Sequence, residues 1–340
     1  MKKILIRADG GKNIGLGHIM RMLVLAKELR KSCKIVFLCK NNESNKYISG
    51  INKIKENEFC VRTIRESRSV EDIIQIQKEE GADLLITDSY DVNEEYFDLM
   101  KKYFYKTAYI DDVNICRINA DIIINQNINA IDYKYNTYPN KDTKIFLGTE
   151  YLLLREEFRH FEKRHLNKEV KNIILTVGGM DDRYLTLKII KSISEFDVNI
   201  HVIIGNAFEK SLVDKILETK TDKARIILYK NAVMSDVMKK CDLAISGCGT
   251  TLYELGAMKV PIVGIVIADN QEKIANFMSK KNMIVNTDKL IFLDEKKFKE
   301  KIKMVINNYE LRKAISDNLS KNINVKGAIK LNNEILKILK

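Results

Sequence analysis

A histidine in a glycine-rich loop near the start of the chain, His18, has the position and the chemistry of a general base. The loop joins an apolar run, Ile4–Ile6, to a segment with apolar residues at helical spacing, 19–29, so His18 stands where a strand turns into a helix. The partial positive charge at a helix start disfavours a protonated imidazole, and a neutral imidazole accepts a proton at neutral pH. The pattern predicts either a base at His18 or an ordinary turn in which His18 caps the helix.

The residues around His18 suit the approach of a ligand. The loop contains four glycines that allow sharp turns and close backbone contact: Gly10, Gly11, Gly15 and Gly17. Arg7, Asp9 and Arg21 flank the loop and are further candidates, with Asp9 at a strand end where it would orient the base. Surface ion pairing is the favoured explanation for these three charged residues.

Polar residues also follow two later predicted strands. Asp88, Ser89 and Tyr90 follow the apolar run 83–87, and Asp111 and Asp112 follow the run 106–110. Ligands of open parallel sheets bind outside the carboxyl ends of the strands, which makes these residues site candidates. Each of them also suits a helix cap or a turn.

A second glycine-rich constellation, SGCGTTLYE at 246–254, suits a diphosphate. It follows a short predicted strand and begins a helix, and Gly249 permits close backbone approach while Thr250 adds a hydroxyl donor. Glu254, one turn into that helix, would accept both hydroxyls of a ribose. The spacing matches neither G-x-x-x-x-G-K-[ST] nor G-x-G-x-x-G, so generic dinucleotide binding is weakly supported.

Two further pairs complete the candidate set. The strand 172–177 runs directly into Gly178 and Gly179, so the second half of the chain begins as the first half does. Asn270 and Gln271 carry adjacent amides that can read sugar hydroxyl or acetamido groups. The amide pair equally suits a helix start.

The elements that position these residues alternate regularly between strand and helix. Apolar runs predict strands at 4–6, 34–39, 59–63, 83–87, 106–110, 121–125, 172–177, 198–204, 225–228, 243–245 and 262–267. The alternation predicts an α/β protein with two doubly wound Rossmann-like domains facing a cleft. We expect an N-terminal catalytic and sugar-binding domain at 1–157, a C-terminal nucleotide-binding domain at 158–325, and a C-terminal helical tail at 326–340 that can cross back to the first domain.

Composition narrows the function classes. The formal net charge of +12 invites a nucleic-acid partner, but the lysines are dispersed, which favours a chain-wide compositional bias toward Lys, Ile and Asn. A mildly basic surface would still favour the approach of a small anionic substrate. The six cysteines contain no C-x-x-C pair, so we expect reduced, buried thiols and neither disulfides nor a metal site. No apolar stretch reaches the roughly 18 residues of a membrane span. We expect a cytoplasmic monomer without stable membrane association, cofactor or metal.

Seven segments, taken in order, resemble the UDP-2,4-diacetamido-2,4,6-trideoxy-β-L-altropyranose hydrolases of pseudaminic acid biosynthesis. The likeness spans roughly residues 4–280, and the segments read IGLGHIMRMLVLAKEL, TDSY, YIDD, INQN, FLGTEYLLLREEF, TVGGMDD and GCGTTLYELGAMKVPIVGIVIADNQ. The resemblance implies a glycosyltransferase-B-like fold, related to the UDP-N-acetylglucosamine transferases of peptidoglycan synthesis. It also implies metal-independent displacement of UDP by water at the anomeric carbon, with inversion.

The resemblance assigns roles to particular positions. The family's active-site histidine falls on His18, and its strand-end tyrosine falls on Tyr90, preceded by Asp88. Its sugar-contacting amide falls on Asn270. The nucleotide loop and the ribose carboxylate fall on Gly249, Thr250 and Glu254.

Three positions depart from the family pattern. Ser89 stands where a histidine is common, Cys248 where glycine is usual and Tyr253 where tryptophan is usual. The Cys248 thiol raises a nucleophile hypothesis, but a small filler residue is the simpler explanation because no histidine lies near it in sequence.

Two rival functions remain at the level of sequence. A glycosyltransferase of the same fold would move a UDP-activated amino sugar to an acceptor, but no concentrated apolar and basic docking run is present in the first domain. A nucleic-acid-binding protein would exploit the positive charge, yet the chain lacks a basic stripe with interleaved aromatic residues. The hydrolase, with His18 as base, is the leading hypothesis.

Overall fold

The chain forms two compact units. The computed structural model describes residues 1–11, 14–114, 116–135, 142–160, 165–205, 207–289 and 295–340. Met1–Arg155 and Asn324–Lys340 form the first unit, and Glu156–Ile323 forms the second. The chain therefore leaves the first unit between Arg155 and Glu156, and it returns to that unit at Asn324.

The first unit is a parallel sheet covered by helices. Its strands are β1 (Lys3–Ala8), β2 (Lys34–Asn41), β3 (Cys60–Arg65), β4 (Leu84–Asp88), β5 (Lys106–Ile110), β6 (Ile122–Asn125) and β7 (Lys144–Leu147). Its helices are α1 (Gly17–Leu29), α2 (Ile48–Glu56), α3 (Ser69–Glu80), α4 (Glu94–Tyr103) and, from the C-terminal segment, α12 (Gly327–Ile338). The strand order is β3-β2-β1-β4-β5-β6-β7, with parallel pairing throughout.

The second unit repeats this architecture. Its strands are β8 (Asn172–Thr176), β9 (Asn199–Ile204), β10 (Arg225–Lys230), β11 (Leu243–Gly247), β12 (Ile262–Val266) and β13 (Val285–Lys289). Its helices are α5 (Leu185–Ser192), α6 (Lys210–Glu218), α7 (Met234–Lys240), α8 (Thr251–Ala257), α9 (Asp269–Lys280), α10 (Glu295–Asn307) and α11 (Tyr309–Asn322). The strand order is β10-β9-β8-β11-β12-β13, again parallel.

Side-chain alternation along each strand builds a core on both faces of the sheet. In β1, Ile4 and Ile6 pack in the layer that contains α1, whereas Leu5 packs in the opposite layer with Ile73 and Phe97. Strands buried on both faces read as continuous apolar runs, and such runs are what the sequence shows. The predicted α/β class with two doubly wound domains is confirmed.

Two edge strands, β7 and β13, lie outside the segments that the sequence predicts as strands. In β7, Lys144 and Ile145 are exposed, and β13 has the polar sequence VNTDK. As an edge strand, β13 needs few buried side chains, so its sequence lacks the apolar run that identifies a central strand.

The thiols are mostly buried, as expected. Cys33, Cys39, Cys241 and Cys248 are buried, whereas Cys60 is exposed and Cys116 is partly exposed. In the part of the chain that the structure describes, no helix combines the length and apolar character needed to cross a membrane.

The C-terminal segment predicted as a helical tail packs into the first unit as α12. Ala328, Leu331 and Ile335 are fully buried in the same cluster as the apolar face of α1. Gly327, the first residue of α12, lies so close to the backbone of Leu152 that an added Cβ would be 2.3 Å from the Leu152 nitrogen. The helix therefore depends on a backbone contact that only glycine allows.

Replacing Gly327 with alanine is expected to destabilise the first unit by about 1–3 kcal/mol, because neither backbone can yield without moving α12. Urea unfolding followed by circular dichroism measures the effect. Gly17→Ala is the matched control, since Gly17 is also the first residue of a helix but a Cβ there meets nothing within 4 Å. Equal stability of the two variants would contradict the prediction.

Candidate active site

The strand order brings the ends of β1 and β4 together, and His18 and Asp88 lie there. β1 pairs with β2 on one side and with β4 on the other, which makes the gap between β1 and β4 the topological switch point of the sheet. Open parallel sheets bind ligands at this point. His18 is the second residue of α1, which follows β1, and Asp88 is the last residue of β4.

His18 is oriented by a buried carboxylate. Its Nδ1 lies 2.6 Å from Oδ1 of Asp88, whose side chain is fully buried, while the His18 side chain is 14% exposed. The N-cap residue of α1 is Leu16, and the His18 side chain contacts Asp88 instead of capping the helix. The alternative that His18 serves only as a helix cap is therefore not what the structure shows.

A single arginine joins His18 to two carboxylates. Arg21 follows His18 by three residues on α1, so both side chains emerge on one face of the helix. Arg21 donates to Asp88 from Nε (2.6 Å) and Nη2 (2.5 Å). It donates to Asp112 from Nη1 (2.9 Å) and Nη2 (2.8 Å). We call His18, Arg21, Asp88 and Asp112 the charged cluster.

Both carboxyl groups of the charged cluster remain ionised beside Arg21. Burial disfavours ionisation of both carboxyl groups, but the nearby Arg21 charge outweighs it: the pKa of Asp88 is lowered, and that of Asp112 falls to about 2. The cluster holds two negative charges and one positive charge while His18 is neutral.

The hydrogen-bond network also selects the His18 tautomer. A carboxylate only accepts, so the 2.6 Å contact requires that Nδ1–H donates to Asp88. Arg21 Nη2 lies 3.1 Å from Nδ1, but both groups donate to the same carboxylate oxygen. Nε2 is then the proton-accepting nitrogen, and it has no hydrogen-bond partner among the residues that the structure describes.

Tyr90 lies against His18. The two rings meet edge to face with their centroids 4.8 Å apart, and the phenol donates to Oδ2 of Asp112 at 2.8 Å. Burial of the phenol and the Asp112 charge raise the pKa of Tyr90. Tyr90 is therefore a neutral hydrogen-bond donor at physiological pH, although the residue is 47% exposed.

Two members of this site were not predicted as site residues with a role. Asp112 was recognised only as a strand-end candidate after β5, and Asn127, which donates to Oδ1 of Asp112 at 2.9 Å, only as part of a motif. Adjacency of β4, β5 and β6 in the sheet brings the residues that follow them together. Their position after buried strands was the available signal.

The role expected of Asp9 is filled by Asp88. Asp9 is buried at the end of β1 and accepts a hydrogen bond from the backbone N–H of Lys40 at 2.7 Å. It therefore ties β1 to β2, and the carboxylate that orients His18 is that of Asp88. Arg7 and Arg21 are also buried, so their interpretation as surface ion pairs is wrong.

The glycines of the first loop divide into two kinds. A Cβ on Gly11 would lie 1.9 Å from the Lys46 carbonyl oxygen, so Gly11 serves backbone packing. Gly15 (φ +77°) and Gly17 face open space, where a Cβ meets nothing within 4 Å. Of these glycines, Gly15 and Gly17 leave room for a ligand near His18.

The second unit presents its own glycine-rich segments at the equivalent switch point, between β8 and β11. Gly178 (φ +101°) and Gly179 follow β8 and face open space. The next carboxylate, Asp181, accepts from the backbone N–H groups of Leu185 and Thr186 at 2.8 Å each and caps α5.

The segment after β11 is open where the diphosphate is expected. Gly249 and Glu254 are partly exposed, and Thr250 is exposed. Gln271 is fixed beside this segment, because its Oε1 accepts from the Ile267 backbone at 3.0 Å and its Nε2 lies 3.7 Å from a Cβ position on Gly249. Asn270 is exposed in the first turn of α9.

Cys248 fills space. Its side chain is fully buried, burial raises its pKa to about 12, and its sulfur lies 2.8 Å from the position of a Cβ on Gly264. A protonated thiol packed against a strand is not an available nucleophile. The simpler of the two sequence explanations holds.

Comparisons with known proteins support the resemblance. The chain is 28% identical over 282 residues to a UDP-2,4-diacetamido-2,4,6-trideoxy-β-L-altropyranose hydrolase of Campylobacter jejuni, covering 82% of this chain and 97% of the relative. It is 27% identical to the spore coat polysaccharide biosynthesis protein SpsG of Bacillus subtilis, covering 79% of each. The resemblance read from the motifs is confirmed.

Other matches extend this picture. An uncharacterized protein of Methanocaldococcus jannaschii is 32% identical over 77% of this chain, and the chain spans about half (55%) of that relative. No family model matches the chain.

Solved structures share the fold at low identity. MurG of Acinetobacter baumannii superposes with a TM-score of 0.73 at 14% identity, covering 99% of this chain and 100% of MurG. The UDP complex of MnaA from S. aureus gives a TM-score of 0.65 at 14% identity, covering 100% and 97%. These likenesses establish the glycosyltransferase-like fold.

The lowered pKa of Asp112 predicts that this residue changes how the stability of the chain depends on acid pH. Asp112 has a pKa of about 2 in the folded chain against an ordinary 3.8. Its contribution to the free energy of unfolding is therefore present above pH 4 and disappears as the pH falls toward 2. This contribution amounts to about 2 kcal/mol. Asp112→Asn should therefore reduce the loss of unfolding free energy between pH 5 and pH 3, measured by urea unfolding. The exposed Asp142→Asn is the control, and parallel losses in Asp112→Asn and wild type would refute the assignment.

Proposed function

We propose that this chain hydrolyses a UDP-linked 2,4-diacetamido-2,4,6-trideoxyhexose at the anomeric C–O bond, with inversion, releasing UDP and the free sugar for pseudaminic acid biosynthesis. The observation that carries the proposal is the contact of His18 Nδ1 with the buried Asp88 carboxylate, which leaves Nε2 without a partner among the described residues. The name of the Campylobacter relative supports the substrate class.

In this proposal His18 is the general base. Nε2 takes a proton from water as the water oxygen bonds to the anomeric carbon, and the bond from that carbon to the UDP oxygen breaks with its electron pair leaving on UDP. The single displacement inverts the anomeric centre. Asp88 stabilises the imidazolium that forms, as the carboxylate of a catalytic triad does. Base catalysis of this kind contributes on the order of 10² to 10⁴ in rate.

UDP binding is assigned to the second unit. The open backbone at Gly178, Gly179 and Gly249 admits a diphosphate, and the Thr250 hydroxyl adds a donor to the leaving oxygens. Glu254 receives the ribose hydroxyls, and Asn270 and Gln271 contact the sugar. Gly15 and Gly17 give the sugar and the attacking water access to His18 in the first unit.

The rival function is glycosyl transfer. Neighbours of the same fold include a structure described as a glycosyltransferase, from Rickettsia africae, with a TM-score of 0.63 at 12% identity. A transferase would consume the UDP-sugar slowly in water alone and rapidly with its acceptor. Free sugar released at a rate set only by enzyme and substrate favours the hydrolase.

His18→Gln is expected to lower kcat by about 10² to 10⁴ while KM changes little, because the amide fills the site but cannot act as a base. NMR follows the release of UDP and free sugar from a panel of UDP-diacetamido-trideoxyhexoses, in water enriched in ¹⁸O that should label the sugar. His160→Gln replaces an exposed histidine and serves as the control. Wild-type hydrolysis by His18→Gln would eliminate the base assignment.

Glu254→Gln is expected to weaken UDP binding by about 10-fold to 100-fold, because a charge-assisted hydrogen bond to the ribose is lost. Isothermal titration calorimetry with UDP alone measures this effect without turnover. Glu218→Gln, at the exposed end of α6, should bind UDP like the wild type. An unchanged Kd for Glu254→Gln would remove Glu254 from the nucleotide site.

A further inference from the structure

Two buried cationic side chains, Arg7 and Lys40, bind the loop that carries Tyr90. This loop, Asp88–Asp91, begins at the last residue of β4, and we call it the strand-end loop. Arg7 in β1 is fully buried and Lys40 in β2 is 6% exposed, whereas the Asp91 side chain is 65% exposed. Two buried cationic side chains therefore contact the carboxylate of Asp91, which is largely exposed.

The contacts to Asp91 are specific. Lys40 Nζ donates to Oδ2 of Asp91 at 2.5 Å. Arg7 Nη2 donates to the Asp91 backbone carbonyl at 3.2 Å and to Oδ2 at 3.4 Å, while its guanidinium lies over the Tyr96 ring at 4.9 Å. We call Arg7, Lys40 and Asp91 the cation clamp.

The clamp is stronger than an ordinary surface ion pair because its cations are buried. Nε and Nη1 of Arg7 have no hydrogen-bond partner, and Asp91 is the hydrogen-bond partner of Lys40 Nζ in the described part of the chain. The buried Asp9 carboxylate interacts electrostatically with the same two cations, so loss of Asp91 would leave two buried positive charges facing one carboxylate. Such an imbalance of buried charge is costly, so moving Asp91 outward is opposed. An exposed pair with mobile partners would exert little restraint.

Two more contacts restrain the same loop. The Ser89 hydroxyl accepts from the Asp91 backbone N–H at 3.1 Å, and the Tyr109 phenol donates to the Ser89 carbonyl at 3.2 Å. Asp88, at the other end of the loop, is held by Arg21. Tyr90 therefore sits between two anchored carboxylates.

We propose that Arg7 and Lys40 are positioning residues, which act through Asp91 to hold Tyr90 against His18 and Asp112. The catalytic consequence rests on the proposed function, whereas the structural consequence does not. The clamp is connected to the charged cluster through Tyr90, whose ring and hydroxyl contact His18 and Asp112.

A role in fold stability alone makes a different prediction. Loss of a purely stabilising ion pair would lower the unfolding free energy and leave the surroundings of His18 unchanged. Loss of a positioning pair would release the Tyr90 ring from the imidazole. The chain has four histidines, which makes the Cε1–H signals in a proton NMR spectrum few enough to assign, with His18→Gln identifying the signal of His18.

The first arm of the test therefore uses no substrate. In Asp91→Asn and in Lys40→Met, the His18 Cε1–H signal should move toward its position in Tyr90→Leu. Lys101→Met is the matched control, because it removes another partly buried Lys–Asp pair, with Asp121, at the opposite edge of the sheet. That control should leave the His18 signal in place.

The second arm measures hydrolysis of the UDP-sugar. Asp91→Asn and Lys40→Met should lower kcat about 10-fold with KM within about twofold, the size of effect expected from a misplaced active-site group. Lys40→Arg, which keeps the charge, should restore most of kcat. In a Tyr90→Leu background, Asp91→Asn should cost no more than Lys101→Met does.

The outcomes separate the two proposals. A His18 signal unmoved in folded Asp91→Asn overturns the cation clamp as a positioning device, whatever the activity. A moved signal in a chain that hydrolyses no UDP-sugar upholds the clamp and rejects the proposed function. If Asp91→Asn lowers kcat equally in the wild-type chain and in the Tyr90→Leu background, the cation clamp does not act through Tyr90.

Discussion

The first unit depends on one buried guanidinium that bridges two carboxylates. Arg21 connects α1 to the ends of β4 and β5 through Asp88 and Asp112, and its five donors match two carboxylates in a way that lysine cannot. Removing one partner would leave a buried charge uncompensated, at a cost of about 3–5 kcal/mol. The same arrangement holds the Asp88 carboxylate against Nδ1 of His18, so the ion pairs that connect α1 to β4 and β5 also orient the candidate base.

Both units use the same topological solution for different chemistry. In each sheet the strand order reverses beside the first strand, and the loops that follow the two adjoining strands carry the candidate residues. In the first unit these loops supply charged side chains, His18 and Asp88. In the second they supply glycine backbone, exposed at Gly178 and partly exposed at Gly249, which suits an anion that binds to N–H donors. The two units therefore differ in the residues at these positions, although the positions are equivalent in the two sheets.

Ser89 departs from the pattern of the hydrolases that the chain resembles, and its hydroxyl has a local structural role. Where an imidazole is common in the family, this chain places a small hydroxyl that is buried and accepts from the backbone of Asp91. Ser89 therefore shapes the loop that carries Tyr90, and His18 provides the imidazole of the charged cluster. Among the described residues, the Ser89 hydroxyl is not a hydrogen-bond partner of His18, Arg21 or Asp112.

The sequence by itself determined the α/β class, the central strands and the candidates His18, Arg21, Asp88 and Tyr90, because apolar runs and glycine loops are local signals. It did not determine which carboxylate meets which base. Asp9 is nearest to His18 along the chain, yet Asp88 orients it, since β4 is the neighbour of β1 in the sheet. The hydrogen bonds of Asp112 and Asn127 and the burial of Arg7 were likewise decided by contacts between distant segments. Periodicity records which face of an element is buried, and only the strand order decides what that face is buried against.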